Sequence, residues 1–276
     1  MRYIDMHTHT TASDGTYSPR QLIDYAITKG LSGIAITDHD TVEGIDEGMN
    51  YASKLGKFIV ITGIELSTEY LGEEVHILGY DINHTSKDLL QALSFIQEQR
   101  RNRAVKIVDK LQKLGLLITY DEVLKIAREG AVGRPHIARV LLEKGYIESI
   151  QEAFHKYLSK GCPAYVPRYK ITPFEAIDMI KKAEGFVTIA HPGLIKNEKI
   201  LIDILEKKVD GIEVYHPEHG EKEHKKFSLI ARQYHLKVTA GSDFHSPPKG
   251  ETRHGDLGSE KISIEEVDKF IKSKVK

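Results

Sequence analysis

The chain has 276 residues, 40% hydrophobic and 29% charged, with 39 Lys and Arg against 40 Asp and Glu. That length accommodates one large α/β barrel, alone or with a small added domain, and the near-neutral balance excludes a protein that coats long nucleic acid by charge alone. The single cysteine, Cys162, excludes an intramolecular disulfide and predicts a reducing, cytoplasmic setting. No apolar run approaches the ~20 residues of a membrane span, and the opening MRYIDMHTHT lacks the pattern of a signal peptide.

Short apolar runs predict buried strands at 3–6, 33–37, 58–62, 75–80, 186–190, 211–215 and 237–240. Helix-like segments separate most of them, so the alternation predicts βα units and a mainly parallel sheet. Ser18, Pro19 and Gln21 offer an N-cap, a first-turn proline and a capping-box partner, and Gly30 is placed to end that helix. Thr172, Pro173 and Glu175 repeat the device. From 86 to 160 the alternation breaks into successive helices, expected over 89–114, 120–128, 135–143 and 149–158. The reading is therefore an α/β barrel domain built from 1–85 and 161–276, with an inserted helical subdomain over 86–160. The Lys-rich end, 271–276, reads as a solvated helix tail.

Histidines and carboxylates gather just after the predicted strands. His7 and His9 lie two apart, as do Asp243 and His245, a spacing that points both side chains to one face of a strand. His39 follows the strand GIAIT, Glu65 follows FIVITGI, His76 opens VHILGY and His191 follows GFVTIA. Asp14 sits in the polar loop after the first pair. In a parallel barrel the strand ends converge on one rim. Six histidines and three carboxylates brought there need a partner for their polarity. Nitrogen and carboxylate donors without thiolate suit Zn²⁺, Mn²⁺ or Fe²⁺, and nine donors suit two or three such ions.

As an ordered set, HTH with a following SDG, TDHD, GIE, VHILGY, AHP and GSDFH resembles the motifs of the PHP (polymerase and histidinol phosphatase) superfamily, from residue 7 to residue 245. The resemblance implies a distorted (β/α)₇ barrel with a trinuclear metal centre, manganese being the leading choice of metal. It implies that His7, His9, Glu65 and Asp243 hold one ion, that Glu65, His76 and His191 hold a second, and that Asp14, His39 and His245 hold a third. Three divalent ions bring about six positive charges, and Asp14, Glu65 and Asp243 offset only three, so a phosphate monoester of about two negative charges fits better than a neutral ester. The expected reaction is attack of a metal-bound hydroxide on phosphorus in line. His216, after GIEVY, is a candidate proton donor to the leaving group or a residue that holds a ligand or water. Asp38 and Asp40 read as turn residues or as supports for the ligands.

The segment GRPHIARVLLEKGY (133–146) places Arg134 and His136 at the start of a helix, a position that favours anions. It resembles the signature of a PHP subgroup containing 3′,5′-nucleoside bisphosphate phosphatases and 5′→3′ exoribonucleases. The resemblance implies that Arg134 and His136, with Arg168 in AYVPRYK, contact a second phosphate of the substrate. Arg100, Arg101 and Arg103 read as a solvated charged face. There is no tryptophan and no interleaving of aromatic and basic residues in the insertion, so a mononucleotide or short oligonucleotide is expected rather than long nucleic acid. The alternatives are a histidinol-phosphate phosphatase and a non-catalytic PHP module.

Overall fold

Eight strands are found in the computed structural model, which describes residues 2–127, 132–247 and 254–271. They are β1 (Tyr3–Thr8), β2 (Gly33–Ile36), β3 (Ile59–Tyr70), β4 (Glu73–Tyr80), β5 (Phe186–Ile189), β6 (Gly211–Tyr215), β7 (Lys237–Ala240) and the short β8 (Ile262–Ser263). The helices are α1 (Pro19–Thr28), α2 (Glu43–Leu55), α3 (Lys87–Lys113), α4 (Tyr120–Ala127), α5 (Arg134–Glu143), α6 (Ile150–Ala153), α7 (Pro173–Lys182), α8 (Glu198–Leu205), α9 (Glu221–Gln233) and α10 (Ile264–Val267). The chain divides into two compact units, Met1–Gln91 with Lys170–Lys276, and Ala92–Tyr169.

In the first unit the strands form one sheet in the order β7-β6-β5-β4-β3-β2-β1-β8. The sheet nearly closes into a barrel of the expected PHP type. Thr8, at the end of β1, makes a parallel bridge to Phe244 just past β7, and the His9 N–H donates to the Phe244 carbonyl at 2.9 Å. Six strands keep parallel neighbours, β1 to β3 and β5 to β7. The sheet is mainly parallel, as expected; the short β8 pairs antiparallel with β1, and β4 runs antiparallel to both β3 and β5. At β4 the cause is local. Leu71 and Gly72 adopt φ of 51° and 84°, the paired left-handed geometry of a two-residue hairpin, so β3 turns straight into β4 with no helix between them.

The helix starts follow their sequence signals. Ser18 accepts from the Gln21 amide while Gln21 reaches back to the Ser18 amide, with Pro19 in the first turn. Thr172 and Glu175 form the same box at α7. Gly30, at φ 73°, closes α1. Buried Ile4, Met6, Ala35, Ile61, Leu78 and Tyr80 tie the strands together, each large aliphatic contributing about 1.5–3 kcal/mol by burial. On β1 the two-residue period sends Asp5 and His7 to the face opposite Ile4 and Met6.

The second unit is helical around its own core, which includes Ile107, Leu111, Ile118, Val123, Ile137 and Leu141. It shares residues 92–160 with the stretch expected as an insertion. The single helix expected over 149–158 is in fact α6, capped by Ser149, followed by a π-helical turn at Phe154–Leu158. Arg128, the expected end of α4, and residues 272–276 of the expected tail lie outside the described residues. Among those described, no helix is long and apolar enough to cross a membrane.

Candidate metal centre

The residues singled out in the barrel motifs converge. His7 ends β1 with Thr8, His39 follows β2, His191 follows β5, and Asp243 and His245 follow β7. Glu65 lies within β3. His76 lies near the start of β4, opposite Ser67 of β3. Because β4 is reversed, its beginning sits where the parallel strands finish, which is how a strand-start histidine reaches the rim.

Glu65, fully buried, is the hub. Its Oε1 lies 2.9 Å from His76 Nδ1 and 3.1 Å from His191 Nε2. Its Oε2 lies 2.9 Å from His39 Nδ1, 3.3 Å from His9 Nε2 and 3.4 Å from His7 Nε2. Asp243 Oδ1 faces the same pair, 3.0 Å from His9 Nε2 and 3.3 Å from His7 Nε2. Asp14 is half-exposed, with Oδ1 3.3 Å from His245 Nε2 and Oδ2 3.9 Å from His39 Nε2. Among the described residues, four groups each bring their donor atoms within 4.8 Å of one another: His7, His9, Glu65 and Asp243; His9, Asp14, His39 and His245; His39, Glu65 and His76; and Asp243, His245 and His254.

Without metal, the charges are settled by protons. Burial alone would lower His9, yet Asp243 and Glu65 outweigh it and raise its pKa to about 10. Burial is likewise outweighed at His76, where Glu65 and Glu74 raise the pKa to about 9. Burial would raise Glu65 and Asp243, but the surrounding histidines hold both well below the usual carboxylate range. Burial dominates at His191 and His245, whose pKa values fall. Hydrogen-bond satisfaction in the cluster is incomplete: His7 Nε2, both His9 ring nitrogens, His39 Nδ1, His76 Nε2, Glu65 Oε2 and Asp243 Oδ1 are buried with no hydrogen-bond partner. Orphaned buried nitrogens aimed at orphaned carboxylate oxygens are costly as they stand. A set of imidazole and carboxylate donors of this kind fits divalent cations.

Backbone strain and neighbouring polar groups build the site. His191 and Asp243 hold φ of 23° and 51°, outside the regions that side chains ordinarily favour. A Cβ on Gly241 would collide with His7 Cβ, so the GSDFH motif opens with the residue that lets the strands approach. Asp38 accepts from the Thr10 amide and hydroxyl and from the Ser13 hydroxyl, anchoring the loop before Asp14. Asp40 accepts from the Ser67 amide. His216 accepts from the Glu218 amide at Nδ1, which leaves the proton on Nε2, 3.5 Å from Asp243 Oδ2.

Three participants were missed in the sequence. Glu213 is fully buried on β6, with Oε1 3.0 Å from His7 Nδ1 and Oε2 accepting from the His191 amide. Its signal was a lone carboxylate inside the apolar strand GIEVY. Asp5 on β1 is its counterpart, accepting from the Ser242 amide and hydroxyl and from the Gly258 amide. His254 places Nδ1 2.9 Å from Asp243 Oδ2 and has no motif around it.

Arg134, His136 and Arg168 belong to the second unit. Arg134 opens α5, donates from Nη1 to the Leu158 carbonyl at 3.1 Å and stands over the Phe154 ring at 5.3 Å. His136 accepts from the Gly133 amide at Nδ1, capping the same helix. Arg168 is half-buried.

The PHP domain profile matches residues 5–162. The chain is similar to the 5'-3' exoribonuclease Rnm of Escherichia coli K12, at 35% identity over 88% of this chain and 85% of that protein. It is also similar to the 3',5'-nucleoside bisphosphate phosphatase of Chromobacterium violaceum, at 32% identity over 91% and 90%. A solved structure from Bifidobacterium adolescentis, described as a metal-dependent phosphoesterase, superposes with a TM-score of 0.83 and 30% identity, covering 97% of this chain and 95% of that one. With the profile over more than half its length and these relatives over most of it, the chain belongs to the PHP domain family of metal-dependent phosphoesterases.

Proposed function

We propose that this enzyme removes the 3′-phosphate from nucleoside 3′,5′-bisphosphates and trims short oligonucleotides from the 5′ end. The observation that carries the reading is the hub at Glu65, where groups able to take a cation overlap, in a chain similar to proteins named for these two activities. In this reading His7, His9, Glu65 and Asp243 hold one divalent ion, Glu65, His76 and His191 a second, and Asp14, His39 and His245 a third, with Mn²⁺ as the ion. Bound divalent cations supply Lewis acidity and the positive charge a phosphate dianion requires.

The chain's own residues supply position. The buried carboxylates fix the orientations of the histidine rings, and His216 faces Asp243 Oδ2 from Nε2 at 3.5 Å. Arg134, His136 and Arg168 are assigned to the substrate's other phosphate, a task suited to the guanidinium fork and a helix start.

Phosphate release from adenosine 3′,5′-bisphosphate, 3′-AMP, 5′-AMP and histidinol phosphate, with Mn²⁺ and with a chelated control, tests the assignment. The expected result is a strong preference for the bisphosphate, yielding 5′-AMP. Preference for histidinol phosphate would keep the metal centre and discard the assignment of the second phosphate. Arg134→Ala is expected to raise KM for the bisphosphate about tenfold or more, as loss of a charge-assisted contact would, while sparing a monophosphate. An unchanged KM would remove Arg134 from the binding site.

A further inference from the structure

Glu213 touches two members of the cluster without joining it. It sits on β6 opposite Thr239 of β7 and is fully buried. One oxygen lies 3.0 Å from His7 Nδ1, and the other accepts from the His191 amide at 2.7 Å. These two histidines lie on opposite sides of Glu65: His7 faces Oε2 and His191 faces Oε1.

We infer that Glu213 is a positioning residue that sets the ring tautomer of His7 and holds the backbone of His191, so that one carboxylate assembles both sides of the Glu65 hub. The inference rests on the reading of that hub as a metal centre.

The argument starts from hydrogen-bond inventory. An ionised carboxylate only accepts, so the proton between Glu213 and His7 belongs to Nδ1. In the neutral ring that a cation would meet, His7 Nε2 then directs its lone pair toward the space shared by Glu65 Oε2 and Asp243 Oδ1, 3.4 and 3.3 Å away. The opposite tautomer would put a hydrogen there and bar a cation. At His191 the task differs. Its φ of 23° is strained, and strain of this sort persists only where surroundings hold it. A charge-assisted bond to its amide is such a hold. Gly241 protects the arrangement, since a Cβ there would collide with His7 Cβ and stand 3.0 Å from Glu213 Oε1.

Glu213→Gln keeps the size and removes the acceptor-only character. If its oxygen stays on the His191 amide, its NH₂ faces His7 Nδ1 and drives the His7 proton to Nε2. If the amide flips, two donors oppose each other at His191. The test is Zn²⁺ titration of the full chain against a chromophoric chelator, with metal content after dialysis. Nitrogen-15 spectra of the histidine rings in the Zn²⁺-loaded protein, a diamagnetic state, accompany it. The expected result for the variant is a 10- to 100-fold loss of Zn²⁺ affinity, with the chelator-treated protein still melting cooperatively. In the wild-type protein His7 is expected to carry its proton on Nδ1, a reading that stands even if the variant does not fold. Equal Zn²⁺ affinity in both proteins, or a wild-type His7 protonated on Nε2, would overturn the inference alone. A wild-type chain that takes up no Zn²⁺ would overturn the metal centre and this inference together.

Discussion

Asp14 and His245 meet at 3.3 Å on the open side of the cluster, and neither is part of the packed core. Asp14→Ala and His245→Ala should therefore each cost about a hundredfold or more in turnover, a cation-site effect, while the melting temperature of the metal-free protein stays within a few degrees of wild type. A large fall in metal-free stability would make these residues structural. The protons held in the cluster predict the pH response. His9 and His76 have folded-state pKa values of about 10 and about 9, above the ordinary histidine value of 6.5. Their stabilisation of the metal-free protein is complete below pH 6.5 and is lost as pH rises through 9 to 10. A cation must displace those protons, so its affinity should rise with pH over the same window, with protons released on binding. Calorimetry of Mn²⁺ binding in buffers of different ionisation enthalpy measures the release. No buffer dependence would contradict it. At this scale the clustered histidines and carboxylates of the barrel motifs could be read from the sequence because each falls in a motif within or beside a strand. Glu213 and Asp5 could not, because a single acid in an apolar strand looks like any polar interruption until its partners 22 or more residues away are seen.

Turn and cap chemistry governed the elements. Both capping boxes and the Gly30 stop were legible, since each needs only neighbours in sequence. Thr172→Ala should lower stability by about 1 kcal/mol through loss of the α7 cap, measured by denaturant titration. The direction of β4 was not legible. Two apolar runs, 58–62 and 75–80, with twelve residues between them fit either a hairpin or a short crossover, and Leu71 is a poor advertisement for a left-handed turn. Gly72 is the residue that decides it. No atom lies within 4 Å of a Cβ built there, so Gly72→Ala should cost about 1–2 kcal/mol from backbone conformation alone. A neutral effect would show that the turn tolerates another geometry. The split of the expected 149–158 helix into α6 and a π-turn has no signal in the sequence that we can identify.

For the whole molecule, the βα alternation was enough to give a barrel with a helical stretch between β4 and β5, because strand and helix periods are short-range properties. The near-closure of the sheet depends on contacts between its extremes and could be inferred only through the motif order. Removing divalent metal with a chelator should abolish phosphate release and lower the melting temperature, and Mn²⁺ should restore both, the stability gain growing with the logarithm of free metal. Activity that survives chelation would contradict the family chemistry.

The bridge from Thr8 to Phe244 has a consequence for how the enzyme comes into being. His7 and His9 leave the ribosome more than two hundred residues before Asp243 and His245. At roughly 5–20 residues per second, the earliest histidines wait tens of seconds for the partners that complete their pocket. The pocket is complete only once the segment carrying Asp243 and His245 has been made and has paired with the end of β1.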